Sequence, residues 1–307
     1  MVNYSDDPKW ADITPIPQDD GGPHPLAAIA YSDEYSEAMG YLRAVMAKEE
    51  HSERVLDLTE HIIEMNPAHY TVWLYRAKTL KELNFDLKTE IEWLNPAALK
   101  HLKNYQIWHH RQTIISQLND PAGETDFIDT MLGPDSKNYH VWSYRQWLVK
   151  QFGLWKGEEG QKELDWVDGM IGDDVRNNSA WNHRWFVVFG CGEENIRDEA
   201  IVNREMGYAK AAIHKAPQNQ SPWNYLHGII RGSKTALSSL KDFALQFASL
   251  ENPDDVHSSH ALDLLAMIYA QDEDTKEKAR QAFDLLANKY DPVRKPYWNY
   301  RKETLVN

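Results

Sequence analysis

The segment Lys103-Asn104-Tyr105-Gln106-Ile107-Trp108-His109-His110-Arg111 contains a Tyr-x-x-Trp-x-x-Arg frame that recurs before and after it. The other copies are Tyr70-x-x-Trp73-x-x-Arg76 and Tyr139-x-x-Trp142-x-x-Arg145, with shorter forms at Trp181-x-x-Arg184 and Trp298-x-x-Arg301. From Trp73 to Trp223 the repeated tryptophans are spaced 35, 34, 39 and 42 residues apart. Periods of this length are typical of repeats built from two helices and two turns. The sequence therefore predicts an all-α fold, a right-handed α–α superhelix of about seven helical hairpins.

Two copies of the frame are degenerate. Trp223 is followed by Leu226 where the arginine should stand, and 75 residues separate Trp223 from Trp298, close to two further periods. The spacing predicts a worn repeat between them, with Ala261 and Leu264 in the tryptophan and arginine positions.

Residues three apart lie on one face of a helix, so the tyrosine, tryptophan and arginine of each frame form a single stripe. The aromatic rings offer buried area, and the guanidinium can reach a carboxylate of a neighbouring helix. Packing between repeats is thus the expected role of most of these tryptophans and arginines.

The composition limits the classes of function. The chain has 307 residues, a formal net charge of −14, 12 tryptophans and 15 tyrosines. A strongly acidic chain without a basic run is a poor general nucleic-acid binder, and the aromatic content is ample for a folded core. The single cysteine, Cys191, excludes an internal disulfide and cannot build a structural zinc site alone. We therefore expect a protein of the reducing cytosol, with a cytoplasmic location.

The first residues are acidic and rich in proline, which is unlike a signal peptide, and no apolar stretch is long enough to span a bilayer. We expect a soluble protein with an extended, proline-rich arm over residues 1–30 and a helical-repeat domain over residues 31–307. Trp10 and Ile13 could anchor the arm. The first helix is predicted over Glu34 to Glu49.

Proline-containing turns punctuate the rest of the chain. The predicted helix ends are at Asn66-Pro67, Asn95-Pro96, Asp120-Pro121, Gly133-Pro134, Ala216-Pro217, Asn252-Pro253 and Asp291-Pro292. Gly153, Gly157 and Gly160 are predicted to be turn residues of one connection, since they lack the lysine and hydroxyl residue of a phosphate loop.

Polar residues beside the stripe mark a possible site in the second and third repeats. They stand at the starts of helices, where free backbone N–H groups and the helix dipole favour anions. The set comprises Lys103, Gln106, Asn138 and His140, with the hydroxyl donors Tyr105 and Tyr139 beside them. An anionic ligand with an apolar tail would suit these groups, although an ordinary solvated surface is the other interpretation.

Other candidate chemistries lack complete motifs. His257 with His260, and His109 with His110, have no carboxylate or thiol at a metal-binding spacing, so no metal site is predicted. Paired aspartates occur at Asp173-Asp174 and Asp254-Asp255 but do not continue as Asp-Asp-x-x-Asp. Cys191 has no histidine at a motif spacing that would activate it as a nucleophile.

The repeats resemble those of protein prenyltransferase α subunits, and more closely the α subunit shared by protein farnesyltransferase and protein geranylgeranyltransferase type I. The likeness covers nearly the whole chain. The segments that carry it include Asn66-Pro67-Ala68-His69-Tyr70, the Lys103 to Arg111 segment, Asn138-Tyr139-His140-Val141-Trp142, Trp10-Ala11-Asp12-Ile13, Asp174-Val175-Arg176-Asn177-Asn178-Ser179 and Tyr297-Trp298.

The resemblance implies a crescent of hairpins around an α/α-barrel β subunit, in an obligate heterodimer. That enzyme transfers a farnesyl or geranylgeranyl group from its diphosphate to the cysteine of C-terminal CaaX proteins such as Ras- and Rho-type GTPases. In the family the β subunit holds zinc, and magnesium is expected for farnesyl transfer. No nucleic acid and no membrane insertion are implied.

The resemblance also assigns roles to single residues. Lys103 matches the lysine at the diphosphate, where its charge offsets charge on the leaving group, and Tyr105 lines the same site as a second catalytic residue. Gln106 matches the glutamine that donates to the terminal carboxylate of the CaaX peptide.

The substrate-binding segment of the family matches a second stretch of the chain. Asn138, Tyr139 and His140 correspond to the segment facing the isoprenoid diphosphate, with Tyr139 and His140 the nearer contacts. Leu102 departs from the family, which commonly has proline there, so the turn into the Lys103 helix is expected to differ.

Two alternatives remain beside the prenyltransferase hypothesis. One is a tetratricopeptide-like scaffold that binds peptides without chemistry, although tetratricopeptide repeats keep a 34-residue period. The other is the α subunit of a Rab geranylgeranyltransferase, which does not usually share the Lys103-Asn104-Tyr105-Gln106 run. The identity of the β subunit, the isoprenoid, the CaaX specificity, the magnesium dependence and the order of substrate binding are left open, because their determinants should lie mainly in the partner.

Overall fold

A computed structural model describes residues 4–22, 24–27 and 29–306 of the chain. Within these ranges the structure is helical, and the only β feature is one isolated bridge between Ala248 and Val256. The α-helices are α1 Asp33–Ala47, α2 Glu53–Met65, α3 Tyr70–Glu82, α4 Leu87–Lys100, α5 Tyr105–Leu118, α6 Glu124–Leu132, α7 Tyr139–Phe152, α8 Gly157–Asp173, α9 Asn178–Trp185, α10 Glu199–Lys215, α11 Gln220–Gly232, α12 Lys241–Ala244, α13 Ser259–Tyr269, α14 Lys276–Leu285 and α15 Lys295–Glu303. Short 3-10 segments lie at Pro8–Trp10, Glu193–Arg197, Leu237–Leu240, Glu273–Thr275, Pro292–Arg294 and Thr304–Val306, and π-turns at Phe186–Gly190 and Leu286–Tyr290.

Consecutive helices pack as hairpins, and the second helix of each carries the Tyr-Trp-Arg stripe or a degenerate form of it. The hairpins are α2–α3, α4–α5, α6–α7, α8–α9, α10–α11, α12–α13 and α14–α15, which is the predicted number. The chain divides into two compact units, Met1–Leu148 and Val149–Asn307, and the division falls within α7.

The longest helices, α8 and α10, have 17 residues each. Both contain charged side chains, including the buried Glu163 of α8 and Glu205 of α10. Over the part of the chain that the structure describes, no helix combines the length and apolar character needed to cross a bilayer.

The tryptophan of most repeats anchors the turn that precedes its own helix. Its indole N–H donates to the backbone carbonyl six residues earlier, which fixes the entry of the chain into the second helix. The pairs are Trp73 with Pro67 (2.8 Å), Trp142 with Ser136 (3.0 Å), Trp181 with Val175 (2.9 Å) and Trp223 with Pro217 (2.9 Å). The ring is buried and its polar atom is satisfied, as a buried tryptophan requires.

The arginine of the frame forms a buried ion pair with a glutamate on the first helix of the next hairpin. Both oxygens of the glutamate accept from the guanidinium, a bidentate geometry. The pairs are Arg76 with Glu90 (2.8 and 2.7 Å), Arg111 with Glu124 (2.8 and 2.6 Å) and Arg184 with Glu205 (2.7 and 2.9 Å). The expectation that the guanidinium reaches a neighbouring carboxylate is thereby confirmed.

Each of these glutamates also accepts a hydrogen bond from a second side chain besides the arginine. This donor lies on the second helix of the glutamate's hairpin, two residues after the tryptophan of that helix. The donors are His110 to Glu90 (2.8 Å), Tyr144 to Glu124 and Tyr225 to Glu205 (2.7 Å). One carboxylate therefore joins the second helix of one hairpin to both helices of the next, and this sets the register between repeats.

The worn repeat lies one residue later than the sequence spacing predicts. Ser258 caps α13 and its hydroxyl donates to the carbonyl of Pro217 at 2.6 Å, the same contact that Asn219 makes to Val175 one repeat earlier. In every other repeat the tryptophan stands four residues after the cap, so Leu262 occupies that position and not Ala261. Leu265, in turn, replaces Leu264 in the arginine position. All four side chains are buried, so burial alone does not distinguish them.

Several local predictions were wrong: Asn252-Pro253 does not end a helix, because α12 already ends at Ala244. Asn95-Pro96 does not end a helix, because Pro96 lies inside α4, which continues to Lys100. Gly160 lies within α8 and is not a turn residue. A side chain at Gly160 would approach the carbonyl oxygen of Trp155 to 2.3 Å, so the close approach of the preceding turn requires glycine there.

The amino-terminal arm is anchored by its aromatic and aliphatic residues, as predicted. Trp10 and Ile13 are buried, and Tyr4 joins them by packing its ring against Trp10 at 5.4 Å. Arg54 of α2 holds the same segment through two contacts with the carboxylate of Asp12, at 2.7 and 2.9 Å. Between Pro8 and Trp10 the arm forms a short 3-10 turn, and most of the rest is exposed.

We expect Glu90→Gln to destabilise the fold by roughly 3–5 kcal/mol, because it leaves the buried guanidinium of Arg76 without its counter-charge. Burial raises the pKa of Glu90, but the hydrogen bonds from His110 and Arg76 outweigh it and leave the pKa below its ordinary value. The contribution of Glu90 is thus present above the unfolded pKa of about 4.3 and is lost as pH falls through the lower folded pKa. Chemical unfolding at several pH values measures both effects.

The matched control is Glu92→Gln, an exposed glutamate two residues away on the same helix. Its free energy of unfolding should stay within about 0.5 kcal/mol of the unmodified chain. Equal stabilities for the two variants would show that the Arg–Glu pair does not hold adjacent hairpins together.

Candidate functional site

The turn before α5 and the start of α7 lie side by side in the first unit, and Asn138 joins them. Its amide oxygen accepts from the backbone N–H groups of His140 (2.9 Å) and Val141 (3.3 Å), which caps α7. Its amide nitrogen donates to the carbonyl of Leu102 at 3.1 Å, directly before Lys103. The cation-bearing turn is therefore fixed to the helix that carries Tyr139 and His140.

His140 makes a second link between the two segments. Its ring lies 4.3 Å from the ring of Tyr105, centroid to centroid, with the planes almost perpendicular, and 5.5 Å from the ring of Tyr139. Burial lowers the pKa of His140, and the hydrogen bond that the ring donates to the backbone carbonyl of Lys103 offsets this only in part. The imidazole is therefore neutral near pH 7 and has one ring nitrogen committed to the Lys103 turn.

The predicted ligand-facing side chains are open to solvent. Lys103 is exposed and Gln106 is half-buried, while Tyr105 and Tyr139 are 65% and 69% exposed. Large aromatic side chains with this much exposed area are typical of surfaces that meet a ligand or another chain. Asn104 caps α5 by accepting from Ile107 N–H at 3.0 Å, so the first helical residues of α5 are held in place behind the exposed groups.

A third exposed tyrosine extends this surface. Tyr70, Tyr105 and Tyr139 are the first residues of α3, α5 and α7, and Tyr70 is 67% exposed. The sequence frame contains all three tyrosines but indicates packing for them. The structure instead shows that each tyrosine is exposed, whereas the tryptophan three residues later is buried.

Asn138 differs from the other predicted site residues because it is buried, at 3% exposure. Asn219 makes the same two kinds of contact in the second unit, capping α11 and donating to Val175 at 2.7 Å. Since this arrangement recurs away from the candidate site, it belongs to the repeat itself. Asn138 thus positions Lys103 and His140 from beneath the surface.

The turn before Lys103 departs from the pattern of the other repeats. The indole N–H of Trp108 is buried and has no hydrogen-bond partner among the described residues, whereas four other repeat tryptophans donate to the carbonyl six residues earlier. In this repeat that carbonyl belongs to Leu102 and accepts from Asn138. This turn therefore lacks the tryptophan anchor of the other repeats, while the site residues remain together; the expected difference from the family's proline-containing turn stays a prediction.

The register of the repeats reveals a cation that sequence analysis did not single out. Lys137 stands one residue before Asn138, as Lys103 stands one residue before the cap Asn104, and both lysines are exposed. The repeat alignment could have found it, because the two segments read Lys-Asn-Tyr in both places. Two positive charges thus occupy equivalent positions in adjacent hairpins.

The described residues contain no cluster of three or more histidine, cysteine, aspartate or glutamate side chains arranged to hold a metal ion. His257 contacts Asp255 at 2.9 Å, and His110 contacts Glu90. Cys191 is half-buried, and burial raises the pKa of its thiol, which disfavours the reactive thiolate.

The repeat residues described above lie in segments that match a known protein family. The family described as "Protein prenyltransferase alpha subunit repeat" matches five segments, residues 52–83, 87–118, 121–152, 161–191 and 202–232. These segments coincide with the hairpins from α2–α3 to α10–α11, so the match ends before the worn repeat.

Relatives are similar over almost the full length. The chain is 42% identical to the protein farnesyltransferase/geranylgeranyltransferase type-1 subunit alpha of Candida albicans over 306 residues, 97% of both chains. It is 38% identical to the subunit of that name from Dictyostelium discoideum over 316 residues, 99% of this chain and 94% of the relative.

A solved structure shares the architecture. A chain of Candida albicans protein geranylgeranyltransferase-I complexed with GGPP superimposes with a TM-score of 0.88 and 43% identity, covering 96% of this chain and 98% of that chain. The predicted all-α superhelical fold class and the predicted family are both confirmed. The chain is a member of the protein prenyltransferase α subunits.

Proposed function

We propose that this chain is the α subunit of a heterodimeric protein prenyltransferase acting on CaaX proteins. The enzyme would transfer farnesyl or geranylgeranyl from its diphosphate to the cysteine near the substrate's C-terminus. The observation that carries the proposal is the junction of α5 and α7, where an exposed lysine, two exposed tyrosines and a neutral histidine meet at two helix N-termini. The similarity to type-1 α subunits over nearly the full length supports it.

In this reaction the cysteine sulfur forms a bond to C1 of the isoprenoid as the bond from C1 to the diphosphate oxygen breaks. Diphosphate leaves with both electrons of that bond, and the cysteine gives up its proton before or during attack. Negative charge therefore grows on the leaving group in the transition state. The ammonium of Lys103 would offset that charge, and the α5 N-terminus would add its dipole.

The neighbouring side chains would bind and orient the substrates. The hydroxyl groups of Tyr105 and Tyr139 can donate to phosphate oxygens, while their rings cover the apolar chain. His140, held neutral, keeps its N–H on the carbonyl of Lys103 and would therefore position Lys103 and Tyr105 without donating to the phosphate itself. Gln106, on the first turn of α5, would donate its amide to the terminal carboxylate of the CaaX peptide.

The remaining parts of the active site belong to the companion β subunit in this proposal. That subunit would hold the zinc ion that keeps the substrate cysteine as a thiolate, and magnesium would assist departure of diphosphate in farnesyl transfer. Ras- and Rho-type GTPases are the expected class of protein substrate, and the cytosol is the expected compartment. Full-length similarity to type-1 subunits favours this function over that of a Rab-specific α subunit.

We expect Lys103→Ala in the purified αβ pair to lower kcat by about 10- to 100-fold, since it removes charge stabilisation of the leaving group. The KM for the isoprenoid diphosphate should change less, because the interaction strengthens as the bond breaks. Steady-state kinetics with a fluorescent CaaX peptide measure both constants. The control is Lys81→Ala, an exposed lysine in the last turn of α3, which should leave both unchanged.

Two results would contradict the proposal at different levels. Unchanged kcat in Lys103→Ala would remove this lysine from the chemistry while leaving the family function intact. A chain that purifies with a companion yet transfers no prenyl group, and binds peptide tails instead, would indicate the non-catalytic scaffold.

We expect Gln106→Ala to weaken binding of a CaaX peptide by about 1–3 kcal/mol, because a carboxylate buried in the complex loses a donor. The loss should disappear when the peptide carries a C-terminal amide in place of the carboxylate. Isothermal titration of the pair with both peptides measures the difference. Equal losses for acid and amide peptides would mean that Gln106 acts on another part of the substrate.

A further inference from the structure

A small cavity of about 180 Å³ lies in the first unit, between the amino-terminal arm, α1 and the turn before α3. Pro17 of the arm, with Tyr35 and Met39 of α1, forms much of its apolar lining. Its polar lining includes Arg43 of α1 and His69, the residue directly before α3. None of these side chains has a role in the proposed reaction.

The arm that forms one wall of this cavity is fixed against α1. The backbone N–H of Ile16 donates to the carbonyl of Gly40 at 3.0 Å. A side chain at Gly40 would approach Cβ of Pro15 to 3.2 Å, so the close approach of the arm favours glycine at this position. The wall formed by the arm is therefore part of the folded structure.

Arg43 lines the cavity as a half-buried cation, and its hydrogen bonds are to neutral groups. Its Nε donates to the carbonyl of Ile16 at 2.8 Å, and its Nη1 donates to Oε1 of Gln18 at 3.0 Å. These bonds use two of the five N–H donors of the guanidinium. Although the chain has 47 acidic residues, none of the described residues that line the cavity is acidic.

Partial burial makes this environment unfavourable for the charge of Arg43. Desolvation lowers the pKa of the guanidinium, and the titratable groups that counteract it are the hydroxyls of Tyr35 and Tyr31, not a carboxylate. Arg76, by contrast, is paired with Glu90 through two hydrogen bonds. A charge removed from water is costly unless an opposite charge compensates it, so an anion in the cavity would be stabilised by Arg43.

His69 adds a second polar group that lacks a partner. Its Nδ1 atom is buried and has no hydrogen bond within the described part of the chain. Buried polar atoms are nearly always paired in native proteins. In the tautomer that carries the proton on Nδ1 the ring is a donor, and a carboxylate has two acceptor oxygens. One carboxylate thus has enough acceptors for both His69 and Arg43.

The remaining lining favours a ligand with a small apolar body. The rings of Tyr31 and Tyr35 lie 5.2 Å apart, centroid to centroid, and Met39 offers a side chain that adapts to irregular shapes. Pockets for drug-sized ligands usually measure roughly 300–1,000 Å³, so this cavity suits a smaller molecule. An inorganic anion would leave the apolar lining without contacts.

We propose that this cavity binds a small organic anion, a carboxylate attached to a single ring or a short branched chain, through Arg43 and His69. The site is separate from the residues proposed for prenyl transfer. The proposal therefore stands independently of that function.

The test is a titration of the full-length chain, in the form in which it purifies, with benzoate and with its neutral analogue benzamide. We expect saturable binding of benzoate, at least about tenfold tighter than that of benzamide, measured by ligand-observed NMR. Arg43→Gln keeps an amide donor for the arm but removes the charge, so benzoate affinity should fall at least about tenfold. His69→Phe keeps a ring without nitrogen atoms and should weaken benzoate binding by a smaller factor.

The matched control is Lys48→Gln. Lys48 lies at the end of α1 and donates to the carbonyl of Asp12 in the arm at 3.0 Å, but it does not line the cavity. This variant loses the same charge and one arm contact, so its benzoate affinity should match that of the unmodified chain. Equal affinities for benzoate in Arg43→Gln and Lys48→Gln, or equal affinities for benzoate and benzamide, would overturn the proposal.

A second measurement locates the ligand and does not depend on the folding of any variant. In crystals of the unmodified protein soaked with 4-bromobenzoate, anomalous scattering should place the bromine in this cavity, with a carboxylate oxygen within hydrogen-bond distance of Arg43. Bromine bound only elsewhere, or a cavity that holds only water at saturating ligand, would refute the site. Prenyl transfer is assayed separately, so either result leaves the proposed function intact.

Discussion

The buried ion pair between the frame arginine and a glutamate of the next hairpin is the contact on which the repeat architecture depends. Arg76 is 4% exposed and Glu90 is 1% exposed, so both charged groups are desolvated and each requires the other as its counter-charge. Such a pair adds little net stability over well-packed apolar side chains, because desolvation cancels most of its attraction. Its bidentate geometry and the third donor on each glutamate instead specify one alignment of neighbouring hairpins.

The chain itself contains the apolar alternative. In the fifth and sixth hairpins Leu226 and Leu265 occupy the arginine position, and both are fully buried. There the aromatic rings of Phe243 and Phe247 pack against Trp223, with centroids 5.8 and 6.0 Å away. Apolar packing therefore replaces the ion pair, and the family match still includes the fifth hairpin with Leu226 but not the sixth with Leu265.

Sequence reasoning predicted the features that depend on periodicity. The frame of tyrosine, tryptophan and arginine gave the hairpin number and the buried face, and the arginine predicted a carboxylate partner without identifying Glu90 or Glu124. Sequence reasoning failed where the same local sequence is compatible with more than one structure. Pro96 is accommodated inside α4, and the worn repeat, lacking a tryptophan, was placed one residue early because Ala261 and Leu262 are both apolar.

At the candidate site, too, the sequence predicted some features and not others. Helix N-termini and polar residues near the repeat tryptophans predicted Lys103 and His140, but sequence could not assign depth to each residue. The sequence groups Asn138 with the ligand-facing residues because Tyr139 and His140 follow it directly. In the structure Asn138 is buried, and its amide hydrogen-bonds to Leu102 and His140 and so connects the two turns.

A repeat protein places chemistry at its edges because only the ends of its helices escape inter-repeat packing. The second helices α3, α5 and α7 bury side chains from their third residue onward and leave the first residue and the residue before the cap exposed. In the first unit this edge carries the exposed cations Lys103 and Lys137, each one residue before the cap of its helix. Residues at this edge can vary without disturbing the register, because the ion pairs that set the register are buried beneath it.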